Sequence, residues 1–204
     1  MRMQKIALVA ALAAAGSAHA AGVGVRVGTL GYGGDFGWGL APTLNARLGY
    51  SAYSHTTTVN TSNVHYDGKL KLSNAPLLVD FSPIGPFHLT AGIVGNNNKI
   101  DVTGTPNTGG GSFSGKLKLG NSAAPYLGIG WGNVAGAGVN FYADLGVMYM
   151  GSPKASLSAN CGSLSPGQCA TLQAQVESEQ RALEDKVKKY KYYPVLNVGL
   201  TVGF

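Results

Sequence analysis

The sequence predicts an all-β fold: an eight-stranded antiparallel transmembrane β-barrel with a short helix in its last extracellular loop. Three observations predict it. First, Pro194 to Phe204 reads P-V-L-N-V-G-L-T-V-G-F, with apolar side chains at Leu196, Val198, Leu200, Val202 and Phe204. That is the period-2 pattern of a strand with one face in lipid. Second, the chain is only 12% charged and 45% hydrophobic, with 31 glycines and no apolar run of about 18 residues after its first segment. Transmembrane strands need only about 9 to 11 residues each, half of them facing lipid, so a mean hydropathy near zero is expected. Third, short Pro/Gly turns alternate with long polar stretches, as in a barrel with short periplasmic turns and longer outer loops.

Residues 1–20 have the pattern of a cleaved signal peptide. Arg2 and Lys5 form a basic start, Ile6 to Gly16 an apolar run, and Ala18-His19-Ala20 a small-x-small cleavage site. The run is too short to span a bilayer as a helix. With Arg2 and Lys5 removed, 15 basic residues become 13 against 9 acidic ones. So mild a surplus gives no reason to expect a nucleic-acid partner.

Residues 21–204 then form the barrel. Val23, Val25 and Val27, followed by Tyr32, Phe36, Trp38 and Leu40, read as two short strands reversing near Thr29 to Gly34. Tight turns follow at Ala41-Pro42-Thr43, Ser82 to Pro86 and Gly132 to Gly138. Polar stretches near 55–67, 103–115 and 155–185 are the expected outer loops. These turns and loops give six strands from residue 44 onward, and the first hairpin brings the number to eight. Residues 44–52 place Leu44, Ala46, Leu48 and Tyr50 on the lipid face; residues 139–149 do the same with Val139, Phe141, Ala143, Leu145, Val147 and Tyr149. Tyr50, Phe81, Phe87, Trp131, Phe141, Tyr149 and Phe204 suit interfacial girdles.

A partial repeat marks three descending strands. Lys69-Leu70-Lys71-Leu72 before Ala75-Pro76 resembles Lys116-Leu117-Lys118-Leu119 before Ala124-Pro125, and more loosely Lys189 to Leu196. Apolar residues are even at Leu70 and Leu72 but odd at Leu77, Val79 and Phe81, which predicts a face switch and a bulge near Pro76. In the last outer loop, 155–188, Leu172, Val176, Leu183 and Val187 recur at helical spacing over Cys169 to Lys188, with Ser165-Pro166 as a start signal. Cys161 and Cys169 are the only cysteines of a chain read as exported, which predicts a disulfide.

By parity the lumen receives Arg26, Asp35, Arg47, Asp80, His88, Tyr142 and Asp144, with Lys69, Lys71, Lys116, Lys118, Lys189 and Lys191 nearer the outer mouth. Two functions fit. A narrow porin-like channel for small solutes would use charged rings to tune selectivity. A non-conducting structural or surface-interaction barrel would pair its buried charges and fill its interior. Inward-facing glycines fit both readings, by leaving a gap or by letting large side chains pack. The lysines would equally suit lipopolysaccharide phosphates at the outer rim. No nucleophile, base and acid are spaced for catalysis, and neither a cofactor motif nor metal-ligand spacing occurs, so an enzyme is not expected. Expected partners are membrane lipid, lipopolysaccharide and, during insertion, the barrel-assembly machinery reading Leu200, Val202 and Phe204. A monomer is expected.

Val27 to Gly34, Ala124-Pro125-Tyr126-Leu127-Gly128, Gly151-Ser152-Pro153 and Tyr190-Lys191-Tyr192-Tyr193-Pro194-Val195 together resemble the carbapenem-associated outer-membrane proteins, CarO, also described as ornithine-uptake porins. The resemblance runs over nearly all of residues 21–204. It implies an eight-stranded barrel in a Gram-negative outer membrane and the passage of small amino acids or related solutes. Six lysines at the mouth would disfavour a cationic amino acid, so ornithine uptake itself is not expected.

Overall fold

The computed structural model describes residues 20–60, 64–106 and 111–204. The expected leader, with Arg2, Lys5 and Ala18-His19, lies outside them. In chain order the strands are β1 (Ala21–Gly28), β2 (Gly31–Ala41), β3 (Leu44–Asn60), β4 (Val64–Ile84), β5 (Phe87–Asn96), β6 (Lys99–Pro106), β7 (Ser112–Lys118), β8 (Ala123–Gly132), β9 (Gly138–Tyr149), β10 (Lys154–Asn160) and β11 (Tyr192–Gly203). One helix, α1 (Pro166–Val187), lies between β10 and β11.

Eight strands close a ring in the order β1-β2-β3-β4-β5-β8-β9-β11, all antiparallel. The ring shuts between β1 and β11, where Val25 pairs with Leu200, leaving no free edge. The outward side chains of its strands are apolar and exposed, among them Val25, Leu48, Leu77, Ile93, Leu127, Leu145 and Leu200. An apolar surface this continuous is stable only against lipid. Aromatics bound it: Phe81, Phe87, Trp131, Phe141 and Phe204 at the end with short turns, and Tyr32, Tyr50, Tyr149 and Tyr192 at the other.

Of the stretches expected as polar outer loops, the described parts of 55–67 and 103–115 fold largely as sheet, and 155–185 as β10 followed by α1. β3 and β4 run well past the ring, and the upper half of β4 leaves β5 to pair with β6, Lys71 opposite Lys99 and Leu70 opposite Ile100. β7 pairs with β6, and β10 with β7, so these strands build a flap with β10 at its edge. Two of the strands, β6 and β7, come from the region around 103–115.

No bulge occurs at Pro76. The β4–β5 register passes through Pro76 opposite Val94 unshifted, and β3–β4 keeps one register from Leu44 to Asn60. The missing proline donor is absorbed differently: the β3–β4 ladder lapses opposite Gly49 and Tyr50, then resumes at Ser51 opposite Asn74. Register shifts occur instead at Gly39/Ala41 and Phe81/Ile84, beside short turns. Even-numbered side chains of β4 therefore face inward from Leu70 to Asp80. Leu70 and Leu72 share a side with Asp80, not with Leu77.

The flap's inward side is apolar and α1 lies on it. Leu172, Val176 and Leu183 of the helix border a cavity of about 560 Å3 with Ile100, Val102, Phe113, Leu117 and Leu157. Pro166 occupies the first helical position, where its missing N–H costs nothing, and the Ser165 N–H donates back to Gln168 Oε1 at 3.1 Å. The helix also protects the sheet edge. Ala155 N–H donates to Glu184 Oε1 at 3.2 Å and Leu157 N–H to Gln180 Oε1 at 2.9 Å, two acceptors one helical turn apart. The Cys161–Cys169 disulfide, with Cα atoms 5.3 Å apart, ties the end of β10 to the first turn of α1.

Candidate functional site

The ring interior is where the charged residues meet. Arg47 on β3 extends across the lumen to Asp144 on β9, four places away in a ring of eight and so diametrically opposite. Its Nη1 lies 2.6 Å from Asp144 Oδ2, and its Nη2 donates to Asp80 Oδ1 on neighbouring β4 at 2.9 Å. Arg47 is 0% exposed. A guanidinium suits this position because its planar fork serves two carboxylates at once. Asp80 also accepts from Thr90 Oγ1 at 2.7 Å, and Asp144 Oδ1 lies 2.9 Å from His88 Nε2.

A second pair sits beside the first. Arg26 Nη1 is 3.0 Å from Asp35 Oδ1, and the Tyr142 hydroxyl on β9 donates to Asp35 Oδ2 on β2. The Arg47 guanidinium carbon lies 5.1 Å from the centre of the Tyr142 ring, which joins the two pairs by a cation–π contact. The structure thus brings together Arg26, Asp35, Arg47, Asp80, His88, Tyr142 and Asp144 in one buried network. Buried charges are tolerable in this form, each facing an opposite charge or a hydrogen-bonding group.

Inward glycines make room for these side chains. A Cβ on Gly199 would run into the Tyr142 ring, one on Gly49 into Asp35 and Arg26, and one on Gly130 into His88 and Asp144. The space left by missing side chains is occupied by neighbours rather than open.

Two further packed layers flank this network. Toward the outer end Leu30, Leu78, Val94, Ala124, Tyr126, Met148, Met150 and Val195 pack as an apolar cluster. At the opposite end the turn after β8 folds inward, burying Val134 and Ala135 against Gly22 and Gly37. Thr201 Oγ1 donates to the Asn133 carbonyl in that turn. Period-2 reasoning assigned the strands of the apolar layer but not its role, since Met148 and Val195 carry no charge to draw notice. Val134 and Ala135, two apolar residues inside a turn, were the available signal for the lower layer.

The lysines stand elsewhere than parity predicted. Lys69, Lys71, Lys116 and Lys118 do lie at the outer end, but on the flap's outward side, sharing it with Leu77 and Val79 of the same unbroken sheet face. Beyond the membrane the apolar side of the sheet no longer faces lipid but turns inward to α1, which leaves the lysines outside. Lys189 and Lys191 lie exposed between α1 and β11. Lys71 Nζ pairs with Asp101 Oδ2 at 2.8 Å, and that hydrogen bond, reinforced by the charges of Lys99 and Lys116, holds the Asp101 carboxyl below the usual carboxylate range despite some burial.

A closed antiparallel ring with an apolar outer wall and an ion-paired interior defines an outer-membrane β-barrel protein. Two solved structures share the architecture: the crystal structure of Acinetobacter baumannii CarO2 superposes with a TM-score of 0.60 at 25% identity, covering 91% of this chain and 98% of that one. The crystal structure of Acinetobacter baumannii CarO gives a TM-score of 0.59 at 24% identity, over 90% and 97% of the two chains, and speaks for the fold alone. Within the outer-membrane barrels the chain is similar in fold to CarO2 and CarO over about nine-tenths of its length, 91% and 90% respectively. No protein-family model and no curated sequence matches it.

Proposed function

We propose that this protein is a structural and surface-interaction barrel of the outer membrane whose interior is closed to solutes in the conformation seen. The observation that carries this is the Arg47–Asp144 bridge, which joins opposite walls of an eight-stranded ring through a side chain with no exposed surface. The flap and α1 are then the working part, held clear of the membrane by long β3 and β4.

A second reading, a narrow porin-like conduit for small solutes, draws on a different observation. Arg26 Nε, Arg47 Nε and Asp80 Oδ2 are buried without a hydrogen-bond partner among the described residues. An incompletely satisfied polar core has less to lose on rearranging to a hydrated form. Opening would also require the Val134 turn to swing out. Because Lys69, Lys71, Lys116 and Lys118 face outward, they give no ground for excluding cationic amino acids from such a path.

Solute uptake into liposomes carrying the folded protein decides between the two. Uptake of glycine, ornithine and glutamate no faster than into empty liposomes is the expected result. Protein-dependent uptake of any of them would replace the first reading with the second, and its charge preference would name the selectivity.

A further inference from the structure

We infer that the outward side of the flap is a binding surface for the phosphate groups of an outer-leaflet glycolipid, independently of whether the barrel conducts. The cross-strand register places Lys71, Lys99, Lys118 and Lys154 directly beside one another on β4, β6, β7 and β10. Directly paired residues share one side of a sheet, and strands lie about 4.8 Å apart, so the four ammonium groups start from a row roughly 14 Å long. The adjacent row carries Lys69, Asp101 and Lys116 in register.

Like charges opposite one another across strands destabilise a sheet, and this row has three such junctions in succession. Asp101 neutralises part of the charge through Lys71, and Lys118 Nζ donates to Ser122 Oγ at 2.9 Å. The positive charge still exceeds what those partners offset. An anion spanning several lysines would turn the repulsion into attraction.

The height of the row selects the anion. Lys71 is one same-face step, about 7 Å, beyond Ser73. The Ser73 hydroxyl lies 3.2 Å from that of Tyr50, one of the outer aromatics. Lys71 therefore sits just outside the hydrocarbon layer, at headgroup level, and the row starts there on the sheet face that meets lipid lower down. A phosphorylated glycolipid presents fixed phosphates at that level, and a lysine binds phosphate as a compact point charge.

The test titrates purified full-length protein in neutral detergent with lipopolysaccharide, with the same material after enzymatic dephosphorylation, and with inorganic phosphate as competitor. The variant K71Q/K99Q/K118Q/K154Q is compared with K186Q/K188Q at the C-terminal end of α1, and heat-modifiability on gels reports folding. Roughly tenfold or greater weakening is expected for the four-lysine variant and for the dephosphorylated glycolipid, with salt-sensitive binding by the unaltered protein and none lost in the helix variant. Equal affinity for both glycolipids, equal loss in the helix variant, or full displacement by inorganic phosphate would overturn the inference. Should the four-lysine variant fail to fold, K99Q and K118Q singly take its place: each is expected to weaken binding about twofold, and no change in either overturns the inference.

Discussion

The ring and the flap share β3 and β4 yet sort polarity in opposite senses. On β4, Leu77, Val79 and Phe81 point outward into lipid while Asp80 points inward to Arg47. Further along the same strand Lys69 and Lys71 point outward, and Leu70 and Leu72 point inward. The backbone does not change register between them, so what changes is the solvent. Where lipid surrounds the sheet, apolar groups gain by facing out and charges must be paired within. Where water and headgroups surround it, the apolar side needs a cover of its own, and α1 supplies it.

The two regions should therefore fail differently. Arg47→Met is expected to have the largest effect, about 3–5 kcal/mol of lost stability, because Asp80 and Asp144 stay buried without their cation. Urea unfolding of vesicle-inserted protein measures it, and unchanged stability would mean the interior is hydrated rather than closed. Gly199→Val should cost about 1–3 kcal/mol in the same assay by driving a side chain into the Tyr142 ring. A silent substitution there would show that the wall has slack.

In the flap the effects should be smaller and local. Replacing Cys161 and Cys169 by serine is expected to remove about 2 kcal/mol from α1 and β10 while leaving ring unfolding unchanged; hydrogen exchange resolved by segment separates the two. Loss of ring stability in that variant would show that flap and ring fold as one unit. Gln180→Ala together with Glu184→Ala should speed amide exchange at Ala155 and Leu157 by a factor corresponding to about 1 kcal/mol per bond.

Acid titration should give the smallest change. Since the folded Asp101 carboxyl titrates below its unfolded value, its pairing with Lys71 contributes above the ordinary carboxylate range and is lost as pH falls through the lowered value. Flap exchange rates are expected to be flat from neutral pH to about pH 5, after correction for intrinsic exchange, and to rise only below about pH 4. A rise already near pH 6 would assign the flap's pH response to a different group.

This contrast also explains what could be read from the sequence. The strands of the ring were legible because lipid imposes one rule on every outward position, and that rule located Arg26, Asp35, Arg47, Asp80, His88, Tyr142 and Asp144 on the inner wall together. Inward-facing glycines were legible as a group, but which side chains fill the space beside Gly49, Gly130 and Gly199 depends on contacts across the ring. The flap was largely illegible. Thr103 to Thr105 and Phe113 to Lys118 lack the long alternation of a lipid-facing strand, and β6 and β7 are fixed by pairing with the upper part of β4 rather than by their own pattern. Helical spacing at Leu172, Val176 and Leu183 identified α1, whereas its role in covering the β10 edge rests on Gln180 and Glu184, residues that read as ordinary surface.

Single-insertion recording in planar bilayers tests the closed interior most directly, using the unaltered protein and Arg47→Ala side by side. The unaltered protein is expected to insert without discrete conductance steps. Stable steps from it would contradict the account by showing an open path, and their persistence in Arg47→Ala would show that the Arg47–Asp144 bridge does not control it.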